Sequence, residues 1–253
     1  MVICGLGNGL SNAVLPGADK IPSNVAFFFP GETTIPYHGF QTGRSWRTKL
    51  DDIDAVRSHL GHKAKSVGGL LWGMTATFSN GEQHGDYQQR GMTPQFLDTQ
   101  PLQFVYGRFI NSIDIEQRRK VCVIGEEVYE TLFPGGGDPC GKRIKAGSLY
   151  FTVVGVARQV SDKVNIGGRP NKIVMMPLTT VQNMQHRGKD VDMIHVTFAD
   201  GYMASEFQGE VETLLKQRHH ISPDDKGAIW IFNLQELFDT FRLLFFGINV
   251  LLW

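Results

Sequence analysis

Two spacings of apolar residues divide this chain into predicted strands and predicted helices. Short runs rich in β-branched and aromatic residues, bounded by Gly or Pro, are typical of strands. The glycines within the longest of these runs predict bends in that strand. The runs occupy residues 24–30, 67–78, 121–125, 151–156, 173–177, 192–198 and 228–232.

Apolar residues three or four positions apart predict helices between the strands. Residues 50–60 have this spacing, with Asp51 or Asp52 as the expected N-cap and Gly61 as the stop. Further helices are predicted at residues 126–133, 178–187 and 204–218, with a short one within 91–104. Predicted loops, rich in Gly, Pro or polar residues, lie at residues 32–45, 81–89, 107–114 and 165–171.

The order of these elements favours an α+β fold with a mixed sheet. The order strand, helix, strand occurs at residues 24–78 and again at residues 192–232. Two such β-α-β units on either side of a central insert would form one discontinuous domain with a second domain inserted into it. A doubly wound parallel sheet would need longer helices in strict alternation with the strands.

The end of the chain is strongly apolar. Residues 241–253 contain one charge, at Arg242, and a bilayer crossing needs about 20 apolar residues. We therefore expect the beginning of a membrane helix there. The alternative is an amphipathic helix that packs on the core, because apolar residues recur at helical spacing through residues 234–245.

The composition indicates the class of protein but gives little information about its chemistry. The chain has 253 residues, 42% of them hydrophobic, which is ordinary for one or two globular domains. Lys+Arg and Asp+Glu are 25 each, so no net charge attracts the chain to nucleic acid, and we expect no nucleic-acid partner.

Cysteine usage indicates no disulfide framework. The three cysteines are Cys4, Cys122 and Cys140, an odd and sparse set. Cys122 lies within an apolar strand run and is predicted to be a small buried side chain. A bridge between Cys122 and Cys140 is the alternative.

Neither glycine-rich string has the features of a nucleotide site. Gly5, Gly7 and Gly9 lack a preceding strand of adequate length and the third spacing of the dinucleotide motif. Residues 135–137 follow a predicted helix, so their amides are not placed at a helix N-terminus to hold phosphate. The chain has no G-x-x-x-x-G-K-[ST] phosphate loop either. We expect no cofactor.

Histidine pairs do not form a convincing metal site. His59 and His62 are separated by the helix-breaking Gly61, and no cysteine or carboxylate at ligand spacing completes a set. His219 and His220 are adjacent and point apart, and the end of a helix favours a cationic imidazole. We expect no metal ligands.

The clustered acidic residues lie at the predicted starts of helices. Asp51, Asp52 and Asp54, and also Glu126 and Glu127, lie where a carboxylate interacts favourably with the helix dipole. The chain has no G-x-S-x-G nucleophile motif. We expect no catalytic residues and a protein that is not an enzyme.

Several segments together resemble one known family. Residues 118–133 read RRKVCVIGEEVYETLF, and residues 138–158 read DPCGKRIKAGSLYFTVVGVAR. The remaining segments are NVAFFFPGETTIPYHGFQTGR at 24–44, a G-x-T-P-x-[FY] element at 91–96, Gly107-Arg108-Phe109 with Asp114, a strand ending in Pro-Leu-Thr within 173–180, and FRLLFFGINVLLW at 241–253. In this order and spacing they resemble the periplasmic core domain of MacB-type ABC transporter permeases, over nearly the whole chain.

The resemblance implies a division of the chain. Residues 13–84 and 170–236 would form a porter-like subdomain, and residues 85–169 an inserted Sabre-like α/β subdomain. Residues 1–12 would be the end of one membrane helix. Residues 237–253 would be the truncated start of a second.

It also implies a function and partners. The domain would lie in the periplasm, in a permease of the inner (plasma) membrane, and transmit ATPase-driven motion across the membrane for export, efflux or lipoprotein transport. The implied partners are an ABC ATPase subunit on a separate chain, a second permease in a homo- or heterodimer, and a periplasmic adaptor protein. The alternative is a soluble α/β enzyme with no recognisable catalytic motif, which would have a deep pocket lined by titratable residues.

Overall fold

The computed structural model of the chain describes residues 22–160 and 168–251. The strands are β1 Val25–Pro30, β2 Thr48–Lys49, β3 Ala64–Asn80, β4 Gln83–Met92, β5 Leu102–Gly107, β6 Val121–Gly125, β7 Arg143–Ala146, β8 Leu149–Gln159, β9 Ile173–Pro177, β10 Asp190–Val191, β11 Met193–Phe198 and β12 Ile229–Asn233. The α-helices are α1 Leu50–Leu60, α2 Phe96–Thr99, α3 Ser112–Glu116, α4 Glu126–Leu132, α5 Leu178–Met184, α6 Ala204–Arg218 and α7 Leu234–Leu251. Single 3₁₀ turns lie at Gly61–Lys63 and Pro170–Lys172.

Ten of these strands form one mixed sheet. Its order is β12-β1-β11-β3-β4-β9-β6-β8-β5, with β7 paired to both β3 and β8. The β4–β9 and β6–β8 pairs are parallel, whereas the pairs β1–β11, β1–β12 and β3–β4 are antiparallel. The short β2 and β10 pair separately. The predicted α+β fold with a mixed sheet is confirmed.

Both predicted β-α-β units are present, and their strands alternate in the sheet in the order β12-β1-β11-β3. The first is β1, α1 and β3, and the second is β11, α6 and β12. Val56 of α1 and Val211 of α6 are fully buried in the same hydrophobic cluster as Val67 and Val196 of the sheet. Burying these apolar helix faces against the strands is what stabilises this half of the molecule.

A second cluster forms on other residues of the same strands. Val25, Phe27 and Leu70 are buried there with Phe96 of α2 and Leu234 of α7. Alternate residues of a strand point to opposite faces, so Phe27 and Phe28 belong to different clusters. The start of α7 is therefore positioned against the sheet by the same alternation that builds the core.

The other half of the sheet closes into a ring. Because β7 bonds to both β3 and β8, the order β3-β4-β9-β6-β8-β7 returns to β3. The contact is possible because β3 is 17 residues long and extends far beyond its pairing with β11. Buried residues of the ring strands include Phe78, Ile124, Ile144, Phe151 and Met176.

Three local predictions are wrong. The predicted loop at residues 81–89 belongs mostly to β4, whose polar first half is partly exposed and is held by backbone pairing with β3. The short helix predicted within residues 91–104 is present as α2, but the strand β5 follows it, and α3 begins inside the loop predicted at residues 107–114. The N-cap of α1 is Lys49, because the Asp52 carboxylate turns back to accept a hydrogen bond from the Lys49 amide at 2.7 Å.

Candidate functional site

The chain enters and leaves the sheet at one end. β1 and β12 are antiparallel neighbours, and Ala26 near the start of β1 pairs with Asn233 at the end of β12. α7 begins at the next residue. We call the group formed by Asn24, Gln208, Asn233 and Glu236 the base.

Asn233 joins the sheet to α7. Its side chain is buried, and its Oδ1 accepts hydrogen bonds from the amides of Gln235 at 2.9 Å and Glu236 at 3.4 Å. The first amides of a helix have no partner within it, so Asn233 acts as the cap of α7. Its Nδ2 also donates to the Gln208 side chain at 3.1 Å and to the Glu236 carboxylate at 3.2 Å.

Two further contacts extend the base to α6. Gln208, on α6, donates from Nε2 to the Glu236 carboxylate at 2.9 Å. Asn24, just before β1, accepts from the amide of Ala204, the first residue of α6, at 2.8 Å and donates to the Tyr202 carbonyl. Hydrogen bonds of the base therefore join α7 to α6 and to the sheet.

The start of α7 docks on the sheet. Leu234 and Phe238 are 1% and 9% exposed, whereas Leu243 and Leu244 are 71% and 57% exposed. Among the described residues, the helices do not reach the length and apolar character required to span a bilayer. The predicted membrane segment at residues 1–12 lies outside the described residues.

An open cleft of about 520 Å³ lies beside the base. Ser23, Asn24 and Tyr202 form one side, and Gln235, Phe238 and Asp239 of α7 form another. Its lining mixes amide, hydroxyl and aromatic groups with a few acids. It separates the start of α7 from the loop that precedes α6.

Three buried carboxylates outside the base are saturated by hydrogen bonds. Asp52 accepts from Arg218 Nε at 2.6 Å and from His219 Nε2 at 2.7 Å, which joins the start of α1 to the end of α6. Burial alone would raise the pKa of Asp52, but the bonds from His219, Arg218 and Lys49 outweigh it, and the pKa lies below its usual value.

Asp225 and Asp114 fix loops in the same way. Asp225 is fully buried and accepts from the Thr34 amide and hydroxyl, both at 2.7 Å, and from the amides of Ile35 and Gly227. Asp114 accepts from Arg108 at 2.7 Å. Burial opposes ionisation of both groups, yet these hydrogen bonds lower the pKa of each. All three carboxylates hold the fold, and the distant partners of Asp52 and Asp225 were not predicted from the sequence.

His195 is enclosed in the sheet. Its Nδ1 lies 2.7 Å from Thr99 Oγ1, and its Nε2 has no hydrogen-bond partner among the described residues. A Cβ added to Gly68 would lie 2.6 Å from the imidazole, so the ring fills the space that this glycine leaves. Burial lowers the pKa of His195 to about 3, and the ring is neutral at physiological pH.

The histidines predicted as solvated or capping residues lie apart from each other. His59 approaches Glu210 at 3.6 Å, and His62 packs on Tyr202. His219 bonds to Asp52, as described above. Within residues 22–160 and 168–251, no three His, Cys, Asp or Glu side chains are placed to hold a metal ion.

Cys122 and Cys140 are both free thiols. Cys122 is buried as predicted, and burial raises its pKa far above the usual value. Burial, followed by the neighbouring Asp138, raises the pKa of Cys140 to about 11. Neither thiol is activated as a nucleophile, and the alternative bridge between them is not formed. Cys4 lies outside the described residues.

The other sequence candidates have structural roles or lie outside the description. Glu126 and Glu127 are in the first turn of α4, as predicted, and pair with Arg158 at 3.6 Å and Lys172 at 3.2 Å. Residues 135–137 form a turn after α4 in which the Gly137 carbonyl accepts from Tyr129. The predicted string at Gly5, Gly7 and Gly9 is outside the described residues.

The fold and the base define a domain in which the start of β1 and the end of β12 lie next to each other at one end of the sheet. The chain matches the sequence profile of the MacB-like periplasmic core domain over residues 1–214, and it belongs to that family. It is the periplasmic core domain of a MacB-like ABC transporter permease. The family predicted from the motifs is confirmed.

Two relatives indicate how much of a permease the chain represents. It is 25% identical over 216 residues to the macrolide export ATP-binding/permease protein MacB of Rhodospirillum rubrum, covering 85% of this chain and 32% of that protein. It is 28% identical over 218 residues to MacB of Bartonella henselae, covering 85% of this chain and 31% of that protein. The chain thus spans about a third of the length of these relatives.

Solved structures share the fold. The periplasmic region of MacB from Actinobacillus actinomycetemcomitans superposes with a TM-score of 0.69 at 20% identity, covering 91% of this chain and 98% of that one. The extracellular domain of the noncanonic ABC-type transporter YknZ from Gram-positive bacteria gives a TM-score of 0.61 at 19% identity, covering 83% and 100%.

Proposed function

We propose that this domain is a non-enzymatic module that transmits ATPase-driven motion from the membrane to the periplasmic side of a permease. The single observation that carries the proposal is the base. α7 is capped by a residue of the sheet, and the same residue and its neighbour Glu236 bond to α6. A force on α7 would therefore reach two secondary-structure layers through short hydrogen bonds.

The hydrogen bonds of the buried carboxylates connect the remaining elements of the domain to each other. Asp52 ties the far end of α6 to α1, and Asp225 ties the loop before β12 to the loop after β1. Hydrogen bonds to buried charged groups are among the stronger polar contacts in proteins. A body braced in this way would move as one piece when α7 moves.

The proposed division of the chain follows the predicted one. Residues 13–84 and 170–236 would form the porter-like subdomain and residues 85–169 the inserted Sabre-like subdomain. In support, β5, β6, β7 and β8 all come from the proposed insert, whereas β1, β11 and β12 come from the outer segments. Residues 1–12 and 237–253 would contribute to two membrane helices of the inner membrane.

The proposed partners are those of an export permease. They are an ABC ATPase on a separate chain, a second permease copy or a related permease, and a periplasmic adaptor protein. Named relatives are export ATP-binding/permease proteins, and this supports the ATPase and the membrane as partners. The substrate is one that the permease would export or release from the membrane.

Hydrogen exchange on the complete permease with its ATPase tests the coupling without knowledge of the substrate. The intact complex should show a nucleotide-dependent change in amide exchange in α6 and the first turn of α7. The double variant Gln208→Ala/Asn233→Ala should lose this change while ATP hydrolysis continues. Thr213→Ala is the matched control, because the Thr213 hydroxyl donates to the Gly209 carbonyl within α6 itself.

Two results would contradict the proposal. One is an unchanged nucleotide response in the folded double variant, since the base would then not carry the motion. The other is a cytoplasmic position of residues 22–233, measured by reporter fusions in the full-length permease.

A further inference from the structure

A second, smaller pocket lies beside α5, where the strands β6 and β8 begin. The base contributes no residue to it. It has a volume of about 180 Å³. Leu149, Phe151 and Met184 provide its apolar wall, and Arg118, Lys120 and Asn183 stand around it. It is therefore an apolar recess with cationic side chains at its edge.

A helix end directs Arg118 to this pocket. α3 ends in a Schellman motif, in which the Arg118 amide bonds to the Ile115 carbonyl and the Arg119 amide to the Asp114 carbonyl. Arg118 has a φ of 50° in this motif, a position that glycine usually occupies. The chain thus has a long cationic side chain at a position where glycine would have no backbone strain.

The cations around the pocket are not neutralised by the protein. Within residues 22–160 and 168–251, the side chains of Arg118 and Lys120 have no ion pair or hydrogen bond, and the Asn183 amide has none either. The nearest buried acid in sequence, Asp114, is already paired with Arg108 and Arg119. None of the residues lining the pocket is acidic.

We propose that this pocket binds the apolar end of an anionic amphiphile whose head group lies between Arg118 and Lys120. The ligand class is a short alkyl or acyl group bearing a carboxylate, sulfate or phosphate. The pocket has a volume of about 180 Å³. At about 30 Å³ per water-sized group, it can hold an alkyl or acyl chain of about six non-hydrogen atoms. Charge-assisted bonds from arginine and lysine to the head group would supply the specificity.

Binding is tested on the 253-residue chain by NMR, with hexyl phosphate as the probe. Hexyl phosphate should shift the signals of Leu149, Phe151 and Met184 in a saturable way. Inorganic phosphate and hexanol should each bind at least tenfold more weakly, because each has only half of the recognised chemistry. Equal binding of either compound, or no saturable shift with hexyl phosphate, would overturn the proposal.

Substitutions test whether the two cations act as proposed. Arg118→Gly suits the backbone conformation and removes the charge without threatening the fold, and Lys120→Gln removes the other charge. Each should weaken hexyl phosphate binding by about tenfold, which is 1.4 kcal/mol. The control is Lys145→Gln, an exposed cation of β7 that does not line the pocket.

Further arms assign the source of the ligand. If phosphatidylglycerol vesicles bind the chain and Arg118→Gly weakens that binding, the ligand is a membrane lipid. If only the soluble amphiphile binds in an Arg118-dependent way, the ligand is a free one. Binding that is unchanged in both Arg118→Gly and Lys120→Gln refutes the site.

Discussion

Acid should destabilise this domain through His195 before any of its buried carboxylates is protonated. The imidazole is fully buried, and burial lowers its pKa from 6.5 to about 3. Below pH 6.5 the unfolded chain binds a proton at this position and the folded chain does not. The stability that neutral His195 provides is therefore complete above pH 6.5 and is lost as the pH falls towards 3.

The size of the effect follows from the two pKa values. A difference of one pKa unit corresponds to about 1.4 kcal/mol. At pH 5 the pH lies about 1.5 units below the pKa of His195 in the unfolded chain, so the imidazole is protonated there. In the folded chain His195 is still neutral at this pH. His195 should therefore lower the free energy of unfolding by about 2 kcal/mol between pH 7.5 and pH 5. Asp52, Asp114 and Asp225 have lowered pKa values and do not contribute in this window.

Urea unfolding at pH 7.5 and pH 5, followed by tryptophan fluorescence, measures this difference. His195→Gln keeps a side-chain partner for Thr99 but removes the titrating group, so its loss of stability on acidification should be about 2 kcal/mol smaller than that of the natural chain. His62→Gln, at an exposed position, is the control and should behave like the natural chain. Equal acid sensitivity of His195→Gln and the natural chain would refute the reasoning.

Three further predictions concern named contacts. Asn233→Ala removes the cap of α7 and should cost about 1 kcal/mol in thermal or urea unfolding and speed amide exchange in the first turn of α7, whereas an unchanged exchange rate would exclude the capping role. Gly68→Ala should cost about 1–3 kcal/mol, because the added Cβ would lie 2.4 Å from Thr93 Oγ1. Gly209→Ala, in the interior of α6 with open space around it, should instead stabilise by about 0.5–1 kcal/mol, and the opposite order of these two variants would contradict the packing. Asp52→Asn should cost about 1–3 kcal/mol at pH 7. This cost should shrink as the pH falls from 3.8, the ordinary value, through the lowered pKa of Asp52, because the ionised carboxylate is then lost, and a pH-independent cost would be inconsistent with an ionised Asp52.

Local signals predicted the elements that have strong patterns of their own. The spacing of apolar residues and Gly61 placed α1, and the same kind of pattern placed α6 at Ala204–Arg218. β9 was predicted at its observed bounds, because a short apolar run before Pro-Leu-Thr is unambiguous. In each case the information lies within about fifteen residues of chain.

Features that depend on distant partners were not predictable in this way. β4 begins with polar residues and becomes a strand because β3 offers it backbone partners. Asp225 reaches Thr34 across 191 positions, and Asn24 reaches Ala204 across 180. The base was missed for the same reason, although an Asn directly before an apolar helix is a recognisable cap signal at Asn233.

The six-strand ring is closed by a short contact between β3 and β7. Its closure depends on two residue pairs, Phe78 with Ala146 and Ser79 with Lys145, which are distant in the chain. Nine residue pairs join β3 to β4, so the two-pair contact with β7 should open more readily than this neighbouring contact. Opening there would let the β7 side of the ring move while the pairs of β1 with β11 and β12 stay formed.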